Sequence, residues 1–144
     1  MRRFALGAMV SLLVFAAALG SRPSRTDPRM NRAARHAAQN GWIFVHLEGS
    51  PSMIGFQHGF MLAPEIQDSQ RVIAMLLHRD TGKSWDFFRD AAKSVLWPRV
   101  EAEYRQELQG IADGATARGV ALDVWDITAM NAWMELSPYY FHWW

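Results

Sequence analysis

Four glycines, arranged as two pairs, constrain the fold of this 144-residue chain more than any other feature. Gly55 and Gly59 lie in one segment of helical character, and Gly110 and Gly114 lie in another. A glycine inside a helix costs about 1 kcal/mol relative to alanine, so four of them need a structural reason. Residues four apart share one helix face, where missing side chains let another backbone come close. We therefore expect each pair to mark a close contact; the alternative is that one glycine of each pair ends its helix.

Residues 1–20 have the composition of a secretory signal peptide. Arg2 and Arg3 precede an almost uncharged apolar run from Phe4 to Leu19, and Gly20 follows. A basic start, an apolar centre and small residues at the exit are typical of a signal that is removed on export. We expect a periplasmic or secreted protein. The run is slightly shorter than the roughly 20 residues of a membrane span, which favours a cleaved signal. Membrane anchoring through an uncleaved leader is the alternative.

Residues 21–40 are expected to form a basic, disordered linker. Residues 1–40 carry seven of the 15 Lys and Arg residues and one of the 14 Asp and Glu residues, whereas residues 41–144 carry eight and thirteen. A solvated tether explains the arginines, and a basic arm for anionic surfaces is the alternative. The remainder is mildly acidic, which argues against a nucleic-acid partner.

Residues 41–144 are predicted to contain one strand and about four helices, an α+β composition. The predicted strand is apolar on both faces, as in a strand that is covered on each side. Pro64 is expected to kink or divide the first helix, and Gly82 to close it. Ser84 is expected to cap the second helix, Pro98 to begin the third and Asp123 to cap the fourth, where Leu122 can pack on Ile127 as a hydrophobic staple. The predicted elements are a strand over residues 42–48 and helices over residues 52–78, 84–96, 98–118 and 123–135.

No arrangement of residues in this chain predicts a catalytic, cofactor-binding or metal-binding site. Cysteine is absent, and the five histidines lack the spacing of metal ligands. His58 lies between two glycines, which favours a hydrogen-bonded core residue over a base. Glu107 and Glu135 are candidates for proton transfer, but a surface or capping role is the simpler interpretation. There is no glycine-rich phosphate loop, and the serines lack the setting of a nucleophile.

The last residues suggest that this chain is part of a larger fold. Five of the six residues over 139–144 are aromatic. Exposed together, they would form an apolar patch that soluble monomers avoid. A strand without a partner would likewise leave its backbone groups unpaired. We therefore expect the chain to stop inside a domain.

Three segments together resemble signatures of the acyl-coenzyme A:isopenicillin N acyltransferase family, whose members are cysteine-type N-terminal-nucleophile (Ntn) hydrolases. They are related to penicillin V acylases and, more distantly, to phospholipase B-like proteins. The first segment is Gly49–Gly59, similar to the family's opening strand, turn and helix. The second is Tyr104–Ala115, with Glu107 and the second glycine pair in place. The third is Asn131–Glu135, an asparagine followed four residues later by glutamate.

The resemblance implies a self-cleaving hydrolase or acyltransferase with a four-layer α/β/β/α sandwich. In the family, cleavage frees a cysteine whose own α-amino group activates its thiol to attack an amide or ester carbonyl. That cysteine lies beyond the third signature, and no catalytic residue transfers to this chain. Met53 also stands where many members carry glutamate.

Residues 41–144 would then be the N-terminal, mostly helical part of the sandwich, comparable to the family's α-chain and inactive alone. The resemblance implies two partners, the remainder of its own polypeptide and a small acylated substrate. A different class of function remains open: a non-catalytic, exported helical binding or structural module, associated with a membrane through its leader.

Overall fold

A computed structural model describes residues 27–136, and 69% of these residues are helical. The remaining regular structure is a small two-stranded antiparallel sheet. This confirms a mostly helical α+β composition. The predicted signal peptide, residues 21–26 of the predicted linker and the aromatic residues 137–144 lie outside the described part.

The chain begins with a short β-hairpin. Strand β1 (Ala34–Arg35) pairs with strand β2 (Val45–His46). At the turn, Gln39 and Trp42 exchange two backbone hydrogen bonds of 2.9 Å. The two residues between them, Asn40 and Gly41, have φ values of 51° and 83°. Positive φ at both central positions defines a type I′ turn, for which Asn-Gly is the preferred sequence because its twist matches that of the strands.

This hairpin differs from the sequence-based expectation in two respects. Strand β2 is shorter than the predicted strand over residues 42–48. Within that range, Trp42 and Phe44 are 71% and 55% exposed rather than covered. Its partner strand comes from residues 21–40, which were expected to be a disordered linker. The basic segment is ordered from residue 27 because Arg29 lies over the Phe56 ring at 3.4 Å and Arg35 pairs with Glu65.

Helices α1 (Pro51–Met61) and α2 (Ala63–Thr81) follow with one non-helical residue between them. The interruption is Leu62, and Pro64 lies in the first turn of α2. Proline has no N–H group to bond the carbonyl four residues back, and its ring clashes with that carbonyl, so the predicted division of this segment is confirmed. Helix α2 ends at Gly82, whose φ of 70° is the left-handed conformation that glycine adopts without strain.

The next helical stretch is irregular. Helix α3 (Trp85–Ala91) continues as a π-helical segment (Ala92–Leu96) and then a 3-10 turn (Trp97–Arg99). Ser84 occupies the predicted cap position, but its side chain makes no capping hydrogen bond. Helix α4 (Ala102–Ala117) begins after the extended residue Glu101. The prediction that Pro98 begins this helix is therefore wrong, because Pro98 already belongs to the preceding 3-10 turn.

Helix α5 (Val124–Asn131) begins directly after Asp123, the residue predicted to cap it. The Asp123 carboxylate accepts hydrogen bonds from the backbone N–H groups of Trp125 and Asp126, and Asp126 accepts one from the Asp123 N–H. This reciprocal capping box satisfies N–H groups that have no partner within the helix. Helix α5 ends earlier than predicted, and one further helical turn closes on the Ala132 carbonyl at Leu136.

The two glycine pairs face each other across the contact between α1 and α4. A Cβ atom on Gly55 would stand 2.0 Å from the Glu107 carbonyl oxygen, and one on Gly110 would stand 2.5 Å from that of Ser52. Gly59 and Gly114 likewise meet carbonyl groups of the opposite helix. The prediction that another backbone approaches these glycines is confirmed. Because residue numbers rise together along the contact, the two helices run parallel.

Two apolar clusters complete the interior of residues 27–136. The larger joins the start of α2, the buried face of α4 and the start of α5, and it includes Leu122 and Ile127, the predicted hydrophobic staple. The smaller joins α2, α3 and the residues after α5, around the fully buried Phe88. Together they hold α2 and α3 beside the α1–α4 pair.

Candidate functional site

The three segments that resemble family signatures meet at one cavity. It has a volume of about 320 Å³ and lies between α1, α2, α4 and α5. His58 comes from the first segment, Ile111 from the second and Asn131 from the third. The remaining lining residues are Leu62, which separates α1 from α2, and residues of α2 and α5: Glu65, Ile66, Ser69, Ile73, Ile127 and Met130. This cavity is the candidate functional site of residues 27–136.

Its position follows from the glycine contact. His58 precedes Gly59, and Ile111 follows Gly110, so both side chains are carried by the helices whose backbones touch. Because α1 and α4 approach closely, side chains just off the contact line lie beside each other. Asn131 is the last residue of α5, where its side-chain amide donates to the Ile127 carbonyl at 2.9 Å. The side-chain amide oxygen of Asn131 accepts no hydrogen bond from residues 27–136.

His58 is half-buried at the cavity wall, and its ring has no hydrogen-bond partner within the described residues. The expectation of a hydrogen-bonded core histidine is therefore wrong: the ring faces a cavity instead of a polar partner. Burial lowers the pKa of His58 below its ordinary value of 6.5, against the opposing attraction of the Glu107 carboxylate. The imidazole is accordingly neutral at neutral pH, with one nitrogen able to donate and the other able to accept.

An ion pair occupies the rim of the cavity. Arg35, from β1, donates to both carboxylate oxygens of Glu65 at 3.2 and 2.6 Å and to the Met61 carbonyl. The hydrogen bond from Arg35 holds the pKa of Glu65 below its ordinary value. The guanidinium charge is thus already matched by a carboxylate, so this arginine offers little attraction to a second anion.

Gln57 is a residue whose role the sequence analysis missed. It is fully buried, and its amide nitrogen donates to the carbonyls of Arg29 at 2.6 Å and Glu48 at 2.9 Å. Its amide oxygen accepts from the Glu48 N–H at 2.9 Å. One side chain therefore fastens both the first described turn and the end of the hairpin to α1. The available signal was a glutamine between the glycines of a packing face, where burial requires partners.

A second cavity, of about 490 Å³, lies on the other side of the α1–α4 contact. Two arginines line it, but both already have partners. Arg29 pairs with Asp27 at 2.8 Å, and Arg105 donates to the carbonyls of Val100 at 2.8 Å and Pro98 at 3.2 Å. Since these cations are engaged, the cavity is less suited to an anionic ligand than its arginines suggest.

A buried polar cluster links α3 to the start of α5 and serves packing. The Asp126 carboxylate accepts from the Trp85 indole N–H at 2.7 Å and lies 3.0 Å from the Arg89 Nε. That Nε makes no well-aligned hydrogen bond, so the contact is an ion pair rather than a hydrogen bond. Burial raises the pKa of Asp123, but hydrogen bonds from Asp126 and Trp125 and the Arg89 charge outweigh it, so the pKa is lowered.

The other residues considered from sequence are scattered. Glu107 is half-buried near His58, whereas Glu135 is exposed. Ser50 and Ser52 lie at the start of α1 with hydroxyl oxygens 3.3 Å apart, and Ser137 lies outside the described residues. Within residues 27–136, no group of three or more His, Asp or Glu side chains is placed to hold a metal ion. None of the helices in that range combines the length and apolar character that crossing a membrane requires.

Comparison with known proteins gives one similarity of note. The chain is 30% identical over 102 residues to an uncharacterized protein of Archaeoglobus fulgidus. The match covers 64% of this chain and 16% of that relative, so the chain spans a small part of the relative's length. No protein-family profile matches the chain, and no solved structure matches it.

Proposed function

We propose that residues 41–144 form the N-terminal helical part of an exported, self-processing Ntn acyltransferase or amidohydrolase. The observation that carries the proposal is the meeting of three sequence segments, each similar to a family signature, at the cavity beside His58, Ile111 and Asn131. The facing glycine pairs add to it, since they explain why the first and second segments need glycine at those positions. In this proposal the small sheet and the helices belong to an α/β/β/α sandwich.

The reaction proposed is acyl transfer from an amide or ester to water or an amine. Its nucleophile is a cysteine in polypeptide outside this sequence, freed at the N-terminus of a second chain by self-cleavage. The freed α-amino group takes the thiol proton, and the thiolate attacks the acyl carbonyl. The amine or alcohol leaves with that proton, and a thioester remains until water or an amine accepts the acyl group. Residues 27–136 supply packing and part of a binding surface to this chemistry.

A second candidate function is favoured by the exposed hairpin. Trp42 and Phe44 present large apolar surfaces to solvent. Aromatic side chains of this kind often anchor protein contacts. In this alternative, the protein is an exported helical binding module without catalytic activity.

Trapping of the acylated enzyme tests the proposal. The full-length protein is mixed with p-nitrophenyl octanoate, quenched with acid and examined by intact-mass spectrometry. We expect the added mass of one octanoyl group on the first residue of a chain that begins with cysteine. Added hydroxylamine should remove the group as octanoyl hydroxamate. A protein that shows neither the adduct nor hydroxamate formation above the buffer rate would contradict the proposal and leave the binding module.

A further inference from the structure

The cavity beside His58 has an apolar wall of one chemical kind. Six of its lining side chains are aliphatic or thioether: Leu62, Ile66, Ile73, Ile111, Ile127 and Met130. Among residues 27–136, no Phe, Tyr or Trp side chain lines it, so a planar ring would find no stacking partner among them. Its volume of about 320 Å³ lies at the lower end of the range for small-molecule sites. These features suit a single flexible alkyl chain.

The polar groups at the same cavity carry little free charge. Glu65 is paired with Arg35, and the Asn131 amide oxygen and the Ser69 hydroxyl are neutral groups without a hydrogen-bond partner in residues 27–136. The Glu107 carboxylate acts electrostatically on His58 but does not line the cavity. A fatty carboxylate would therefore lie beside the Glu65 carboxylate and find no unpaired guanidinium among the described lining residues, which costs binding free energy. An uncharged amide or ester head group can hydrogen-bond to the neutral side chains without this cost.

We propose that the cavity between α1, α2, α4 and α5 binds the aliphatic chain of an uncharged acyl amide or ester. The inference rests on the proposed function for its relation to catalysis, and it specifies the substrate class: straight-chain acyl groups in preference to aromatic ones. The three signature-like segments then have a common role, since each contributes one wall residue next to the acyl chain.

Calorimetric titration of the full-length protein with primary amides from butanamide to octanamide tests the inference. Each added methylene that enters the cavity should tighten binding roughly fourfold, until the cavity is full. Octanamide should bind tighter than octanoate, octylamine and phenylacetamide. Methyl octanoate should bind comparably to octanamide, because the head group is uncharged in both.

Two neighbouring residues of α2 provide a matched pair of variants. Ile73 lines the cavity and Val72 does not, so I73F removes cavity volume whereas V72F adds the same ring outside it. We expect I73F to weaken octanamide binding roughly fifteenfold, as if about two methylenes were excluded, while butanamide changes less. V72F should leave the whole series unchanged. Should I73F fail to fold, S69L offers the same test from an exposed position on the cavity wall.

The inference is overturned if affinity does not rise with chain length, if octanoate, octylamine or phenylacetamide binds as tightly as octanamide, or if V72F and I73F have equal effects. Its failure is distinguishable from that of the proposed function, because the dependence of affinity on chain length is measured separately from formation of the acyl adduct. Hydroxamate formation without chain-length-dependent amide binding would remove the cavity assignment alone. Amide binding without any acyl adduct would remove the proposed enzyme and leave the binding site.

Discussion

Replacing a glycine of the α1–α4 contact with alanine should destabilise the protein, although alanine is the better helix former. At Gly55 the added Cβ would stand 2.0 Å from the Glu107 carbonyl oxygen, whereas real Cβ contacts are essentially never closer than 3.0 Å. The obstructing atoms are backbone, so the helices must separate by about 1 Å or bend. A gap of that size loses a quarter to a half of the dispersion energy between facing atoms.

The expected magnitude is a balance of two opposing effects. Removing glycine from a helix interior stabilises it by up to about 1 kcal/mol. Forcing an extra carbon into a packed contact costs about 1–3 kcal/mol, and more where the neighbour cannot move. Since the neighbour here is a carbonyl in the middle of α4, we expect G55A to lower the unfolding free energy by about 1–3 kcal/mol after both effects. Urea denaturation followed by circular dichroism measures this value.

A double variant sharpens the test. Gly55 and Gly110 face each other, so one separation of the helices relieves both clashes. The G55A/G110A variant should therefore lose less stability than the two single variants together, as expected for residues in direct contact. T116A, at an exposed position on α4, is the control and should be neutral or slightly stabilising. Stable single variants, or strictly additive losses, would refute the idea that backbone contact explains these glycines.

Three other changes have defined outcomes. Q57L should lower the unfolding free energy, measured by urea denaturation, by about 1–3 kcal/mol. The reason is that the Glu48 N–H and two backbone carbonyls lose their hydrogen-bond partner. An unchanged urea midpoint would show that these Gln57 hydrogen bonds do not stabilise the fold. D126N should lower the unfolding free energy by about 1–3 kcal/mol in the same assay, because it removes the charge that pairs with Arg89. With the amide oxygen on the Trp85 indole, the amide nitrogen also cannot accept from the Asp123 N–H; equal stability would mean that neither contact contributes. His58 has a lowered pKa in the folded state, so the unfolded chain binds more protons below pH 6.5 and stability should fall as pH falls there. H58Q should lose this fall in stability at low pH, measured by thermal denaturation across pH 5 to 8. A pH profile identical to that of the unsubstituted protein would contradict the lowered His58 pKa.

Local signals predicted the local structure well. Pro64 divides α1 from α2, Gly82 ends α2, and Asp123 caps α5, because each acts through its own backbone or side chain within one turn. The glycine pairs predicted a close backbone approach because residues four apart lie on one face of a helix. The partner helix and its parallel direction could not be predicted, since they depend on how distant segments fold together.

The hairpin was missed although a signal for it exists. Asn40-Gly41 is the preferred type I′ turn pair, but the surrounding arginines and alanines favoured a linker, and strand β1 has only two residues. Its order comes from distant contacts, chiefly Arg29 on Phe56 and Arg35 with Glu65. The cavity beside His58 could not be predicted for a similar reason: its walls come from four helices, and no short sequence window contains them.

Determination of the mature protein's polypeptide composition tests the proposed function most directly. Intact-mass spectrometry and N-terminal sequencing should be applied to protein purified from its native source. We predict two chains: one that contains residues 41–136 and lacks residues 1–20, and a second that begins with cysteine. A single uncleaved polypeptide, with no chain headed by a nucleophilic residue, would contradict the assignment to a self-processing hydrolase.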